Sequence, residues 1–418
     1  MHHSGIRGKL RGQIVRFSGE VSRGLCKTAR RFVCEVLYGI TASESVMLSE
    51  IGRTLDEEIR LKKTETRLSS QLGREKLKEC VERNLLSLGA SRIGRETLLI
   101  VDISEIAKRY ACRMEYLAEV RDGSSKEIAV GYWTVQVVGA EVEGVHITPL
   151  VHRLYSQNAP GFVSENEEIL GAVRDVSRAV GDRGIYVIDR GGDREKLLYP
   201  FLREKRRFMV RLVGNRNVVY RGELILASAV AARCPMYYVE RVVREENRRE
   251  KVYNVEYGFA RVRLPEAAEE LTMVVVKGFG AQPMMLLTNI EVVRSRRSCW
   301  FAVQAYLRRW QIEETIRCMK QSYGIENVRL LTYGRLRNMM VLVLCAMYFA
   351  AVCIGEGVRL GVLAHYALEE AQRFYGIPNF RYYALAVGLG KLLRGSTRPF
   401  AGRKEPVFQE MQLSLFGP

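Results

Sequence analysis

Spacing of apolar and polar positions divides the chain into stretches of different character. Up to about residue 95, apolar residues recur three and four apart, the interval of a helix with one buried face. RGLCKTARRFVCEVLYGIT reads as one helix, SVMLSEIGRTLDEEIRLKKTETRLSSQL as a pair, and REKLKECVERNLLSL as another. SEIGRTL, with Ser49 as N-cap and Gly52 early, has the form of the first part of a helix-turn-helix.

At Thr97 the pattern changes to strands. TLLIVDIS is a buried run with a single acid, Asp102, near its end. GYWTVQVVGAEVEGVHITPL gives two strands with a turn near Glu143 and Gly144. SENEEILGAVRDVSRAVGDRG is a helix, with Ser164 and Glu167 at capping-box spacing and Gly181 at its end. GIYVIDRGGDREKLLYPFLREK then repeats the earlier motif: a buried strand ends in Asp189, Gly191-Gly192 forms a loop, and Asp193 is the expected N-cap of a helix. A buried strand has no packing reason to carry an acid, so an acid at its C-terminal tip marks a candidate ligand or metal site. Arg190 has two readings, an ion pair with Asp189 or a phosphate contact.

From about 207 to 292 short β-type runs follow one another: RFMVRLV, MYYVERVVR, KVYNVEYGFARVRL, LTMVVVKGF and MMLLTNIEV, with only ASAVAARC helical between them. This reads as an inserted β-rich module with Arg and Lys on one face, a pattern that half-exposed sheets also show. FAVQAYLRRWQIEETIRCMKQ, residues 301–321, has no Gly or Pro and reads as one helix. Tyr306, Arg309, Glu313 and Lys320 lie 3, 4 and 7 residues apart, which at about 100° per residue places them in one narrow stripe. Such a stripe is either a solvated face with Arg309 paired to Glu313, or a ridge suited to a phosphodiester chain. Beyond it, Glu326 is a rival acid with Arg329 as a nearby partner. MMVLVLCAMYFAAVCIG is the membrane candidate; slightly short and continued by charged helix, it reads as a buried core helix. From about residue 394 the chain is punctuated by Pro and Gly and reads as a mobile tail.

Composition narrows the partner. Lys plus Arg number 65 against 47 Asp plus Glu, a net charge of +18 that favours a polyanion, nucleic acid before a membrane surface. Nine scattered cysteines without a CxxC pair read as reduced thiols, and five histidines leave little for a zinc site. The N-terminus has no continuous apolar run, so no secretory signal and a cytoplasmic location are expected.

Two strands ending in acids and a helix presenting a third pose a problem of charge. Three carboxylates in one pocket repel each other unless divalent cations neutralise them. Oxygen-only ligation selects Mg²⁺ or Mn²⁺, and a pair of such ions can activate an attacking hydroxyl and stabilise a leaving oxygen.

These residues carry a resemblance. The spacing of Tyr306, Arg309, Glu313 and Lys320, with Asp102 in VDIS, Asp189 in VIDRGGD and the RWQIEE context, resembles the DDE transposases of bacterial insertion sequences, in the branch with a Y-(2)-R-(3)-E-(6)-K signature. It implies an α/β, RNase H-like core with a β-rich insertion, preceded by an α-helical domain and followed by C-terminal helices. The expected divisions are 1–95 (inverted-repeat DNA binding), 96–206 and 293–355 (the two parts of the core), 207–292 (the insertion) and 356–418 (helices and tail). Asp102, Asp189 and Glu313 would be catalytic and hold two Mg²⁺ ions, for which Mn²⁺ can substitute. Tyr306, Arg309 and Lys320 would grip double-stranded DNA, with a homodimer in the synaptic complex. In some relatives an insertion-domain tryptophan takes a flipped base, yet Trp133, Trp300 and Trp310 all lie outside that stretch. Gly191-Gly192 also departs from the more usual Gly-aromatic pair. The implied activity is cut-and-paste transposition; the alternatives are an RNase H-like nuclease without strand transfer, or an inactive DNA-binding derivative. Finally, QLSLF resembles the peptide by which bacterial proteins dock on the DNA-polymerase sliding clamp, through Leu413, Leu415 and Phe416 with Gln412 at the groove edge. An amphipathic end packed on its own protein is the other reading.

Overall fold

The computed structural model describes residues 3–123, 125–144, 146–246, 249–354, 382–394 and 400; the QLSLF segment lies outside the described residues. Five helices come first: α1 (His3–Val21), α2 (Lys27–Ser43), α3 (Leu48–Leu55), α4 (Leu61–Leu72) and α5 (Leu77–Ala90). The helix pair expected around SEIGRTL is α3 and α4. However, α3 starts at Leu48 after Met47, so Ser49 sits inside the first turn and is not its cap.

The core is a ten-stranded sheet. Strands β1 (Leu98–Ala107), β3 (Ile128–Ala140) and β4 (Ile147–Tyr155) form an antiparallel meander, with the short β2 (Ala118–Arg121) against the start of β3. Helix α6 (Glu165–Val180) then leads to β5 (Ile185–Ile188), parallel to β1 on its other side. Ser164 caps α6 by accepting from the Glu167 N–H at 3.2 Å, the expected cap. Helix α7 (Glu195–Arg203) leads to β6 (Phe208–Arg211), parallel to β5. This mixed α/β sheet, with helices before and after it, agrees with the RNase H-like core expected.

The β-rich stretch does not form a separate sheet. After the hairpin β7 (Asn217–Tyr220) and β8 (Glu223–Leu226) and helix α8 (Ala227–Arg233), the chain makes β9 (Tyr238–Glu246), β10 (Arg249–Val262), β11 (Leu271–Lys277) and β12 (Met284–Thr288). Strand β12 pairs antiparallel with β6, and β11, β10 and β9 extend the same sheet in that order. Apolar runs such as MMLLT and LTMVVV are buried throughout, as strands covered on both faces require.

Period-two alternation sorts the sheet's side chains into two cores. Leu98, Ile100, Ile185 and Val187 pack with the N-terminal helices and with α9 (Arg296–Leu307), α10 (Trp310–Ser322) and α11 (Tyr333–Tyr348). Leu99, Val101, Tyr186 and Ile188 pack on the opposite side with α6, α7 and α8. Helix α11 runs into a π-helical turn, Phe349–Ile354, and α12 (Tyr382–Arg394) packs against α2. The apolar helix Tyr333–Ile354 is long enough to cross a membrane, but 89% of its most apolar window is buried within the protein, the core role expected of it.

Candidate active site

Strand register brings the first two acids together. Strands β1 and β5 match Leu98 to Ile185 and end at Val101 opposite Ile188, so Asp102 and Asp189 are the next residues on each. Alternation continues Leu98 and Ile100 into Asp102, and Ile185 and Val187 into Asp189, placing both on the face that carries α10. Asp102 is not at a strand tip, as expected, but in the middle of β1. Residues 102–107 stay paired to β3 while β5 has already ended, so among the described residues this half of β1 has a ladder on one side only.

A tight turn follows Asp189. Its Oδ1 accepts from the Gly191 N–H at 2.7 Å. A Cβ on Gly192 would come within 2.6 Å of Ile188 Cγ2, so the second glycine lets the loop fold back on its own strand. Asp193 is not the cap expected: its carboxylate accepts from the Val213 N–H and from Arg216 Nε, both at 2.7 Å, and joins the loop to the start of the β-rich stretch. Arg190 is exposed beside Asp189.

The helix expected over 301–321 is two helices. Helix α9 ends at Leu307 and α10 begins at Trp310, the turn between them tightened by Arg309 N–H to Tyr306 O and Gln311 N–H to Arg308 O, each 3.0 Å. Neither Gly nor Pro causes the break. Both arginines of the turn reach away from the helix: Arg308 Nε donates to the Val142 carbonyl at 2.6 Å, and Arg309 enters the acid site. Helix α10 is anchored by Ile312, Ile316 and Met319, each worth ~1.5–3 kcal/mol of burial.

The four spaced residues therefore do not form one open ridge. Tyr306 is buried on α9, with the Arg211 guanidinium 5.9 Å from its ring centre. Arg309 Nη1 lies 3.4 Å from Asp102 Oδ2, and its Nη2 donates to Glu313 Oε1. Lys320 Nζ pairs with Glu105 Oε1 at 2.7 Å and with Glu326 Oε1 at 3.2 Å. Glu326, expected beside Arg329, thus faces Lys320. The segment carrying it is tied to β1 by Lys108, whose Nζ donates to the Glu326 carbonyl at 2.6 Å and also to that of Val328. Burial brings the Lys108 ammonium down to about 8. Glu105 and Arg211 had no signal in the sequence, since each looks like an ordinary charge on a strand.

Electrostatics at the site follow from burial. Removal from water pushes the Asp102 carboxyl up to about 7; the Arg309 charge opposes this, and Asp189 and Glu313 add to it by repulsion. Burial disfavours the Arg309 charge, but Glu313 and Asp102 outweigh that and push its pKa up. Asp189 and Glu313 are thus each near enough to Asp102 to raise its carboxyl by repulsion. The all-oxygen character of the three carboxyls fits Mg²⁺ or Mn²⁺. Among the described residues no three His, Cys, Asp or Glu side chains are spaced to close on one metal ion, and here the Arg309 guanidinium lies between Asp102 and Glu313.

Residues 154–349 match the family model described as Transposase DDE domain, a span that includes Asp189, Tyr306, Arg309, Glu313 and Lys320 but begins after Asp102. No curated protein matches the chain significantly. Among solved structures, one that is similar is a cryo-EM structure of a piggyBac transposase synaptic complex with hairpin DNA. It is 11% identical, with a TM-score of 0.43, over 92% of this chain and 78% of that one.

Proposed function

We propose that the chain is a DDE transposase of the insertion-sequence branch marked by the tyrosine, arginine, glutamate and lysine spacing. It cuts at transposon ends and transfers the freed 3′-hydroxyls to target DNA. The observation that carries this is the strand pairing that sets Asp102 beside Asp189, with Arg309 linking Asp102 to Glu313 on α10, in a chain whose residues 154–349 match a transposase domain.

In this reading Asp102, Asp189 and Glu313 hold two divalent cations, Mg²⁺ or Mn²⁺. Such ions, when bound, supply activation of the attacking oxygen and stabilisation of the leaving one. Arg309, Lys320 and the exposed Arg190 take backbone phosphates, holding the scissile bond in register. Tyr306, buried on α9 with Arg211 beside its ring, precedes the turn that carries Arg309. The helices of residues 1–95 and the β-rich stretch 207–292 read the inverted repeats, and two copies bring two ends together. A cytoplasmic location beside DNA follows. The C-terminal QLSLF segment docks on the sliding clamp; deleting residues 411–418 should abolish clamp binding, and unchanged binding would end that part of the reading.

The test is a Mg²⁺-dependent assay on a plasmid carrying the DNA that borders the coding sequence. Cleavage at matched ends followed by joining to a second plasmid is expected. Nicking without joining would favour a nuclease, and DNA binding without any cleavage would favour an inactive derivative.

A further inference from the structure

The position of Arg309 goes beyond its expected role as a phosphate contact. Its guanidinium is four-fifths buried and forks between Asp102 on β1 and Glu313 on α10, supplying the positive charge these two carboxylates need. A cation entering between the same carboxylates must displace it. Once displaced, the guanidinium loses both anionic partners and needs another anion within reach.

Building on the transposase reading, we propose that Arg309 is a latch that holds the acid site closed to metal until DNA arrives. A DNA phosphate takes the guanidinium from Asp102 and Glu313, and the divalent cation takes its place. Metal loading and DNA binding are therefore coupled, each strengthening the other by the same factor. The break between α9 and α10 suits this role, because Arg309 is the N-cap residue of α10 and can swing without unwinding the helix. Ile312, Ile316 and Met319, buried along α10, do not depend on Arg309 for their packing.

The test measures Mn²⁺ binding directly, by loss of the free-ion signal in electron paramagnetic resonance, on the full chain with and without a short mixed-sequence duplex. In wild type the duplex should tighten Mn²⁺ binding by about tenfold or more, within the usual range of coupling between sites. Arg309→Gln should bind Mn²⁺ about tenfold more tightly than wild type without DNA and gain little from the duplex. Arg309→Lys, which keeps a charge but not the fork, should fall between them, and thermal melts establish that each variant is folded. Equal Mn²⁺ affinity of wild type and both Arg309 variants without DNA would overturn the latch while leaving the acid site intact. Undiminished Mn²⁺ binding by Asp102→Asn and Asp189→Asn would instead overturn the metal site on which the latch rests.

Discussion

Asp102 and Asp189 are brought side by side by the parallel pairing of their strands, each being the residue after the matched pair Val101 and Ile188. Asp102 lies within β1, and Asp189 directly follows β5 with its carboxylate held by the Gly191 N–H, so the sheet sets where both begin. Asp189→Asn and Glu313→Ala should each lower Mg²⁺-dependent DNA cleavage by more than about 10²-fold, the loss seen when even an outer-shell metal partner is removed. Duplex affinity, measured by fluorescence anisotropy, should change little. Full-rate cutting by either variant would show that these residues are not the metal ligands.

The raised carboxyl of Asp102 makes stability depend on pH. Its folded value of about 7 lies above the ordinary 3.8, so its contribution is complete below pH 4 and is lost as pH rises through 7. Asp102→Asn removes this titration. The variant should melt higher than wild type at pH 8, and the gap should close as the pH falls toward 4. A gap independent of pH would mean that Asp102 titrates normally.

Much of this site was legible in the chain, and for a local reason. A strand of buried apolar residues interrupted by one acid, as in LLIVD and IYVID, announces itself without knowledge of the partner strand. What was not legible depends on contacts between distant residues. Asp102 lies mid-strand because β1 stays paired to β3 as far as Ala107 after β5 has stopped four pairs in, a matter of register. The break before Trp310 has no Gly or Pro and accompanies the pull of Arg308 toward Val142 and of Arg309 toward Asp102. The β-rich stretch read as an inserted module because its short β-type runs follow one another with only ASAVAARC helical between them; that β12 pairs with β6 in the same sheet rests on contacts between distant residues.

Lys320 is divided between Glu105 and Glu326, and these acids compete with any phosphate for it. Lys320→Ala should weaken duplex binding and reduce the slope of log affinity against log salt by about 1. Glu105→Gln should do the opposite to affinity, since it removes one of the two acids that hold the ammonium. Identical salt titrations for wild type and Lys320→Ala would remove Lys320 from the DNA contacts.

Packing of the N-terminal helices turns on Gly39 of α2. A Cβ there would meet Ile51 Cγ2 at 2.4 Å, and Ile51 is fully buried on α3. Alanine is favoured over glycine in a helix by roughly 1 kcal/mol, but overpacking a filled core costs about 1–3 kcal/mol. Gly39→Ala should therefore destabilise the protein in urea unfolding. A stabilised variant would mean that α3 moves aside freely.

The half of β1 that outruns β5 has a final consequence. Along residues 102–107 no neighbouring strand among the described residues seals its outer edge, and α10 is fastened beside it by the ion pairs of Arg309 and Lys320 and by apolar side chains. Shifting that helix breaks no main-chain rung of the sheet. Two of the acids thus take their place from the sheet, and the third from a helix held against it by side chains, so the two parts of the pocket need not have the same stiffness.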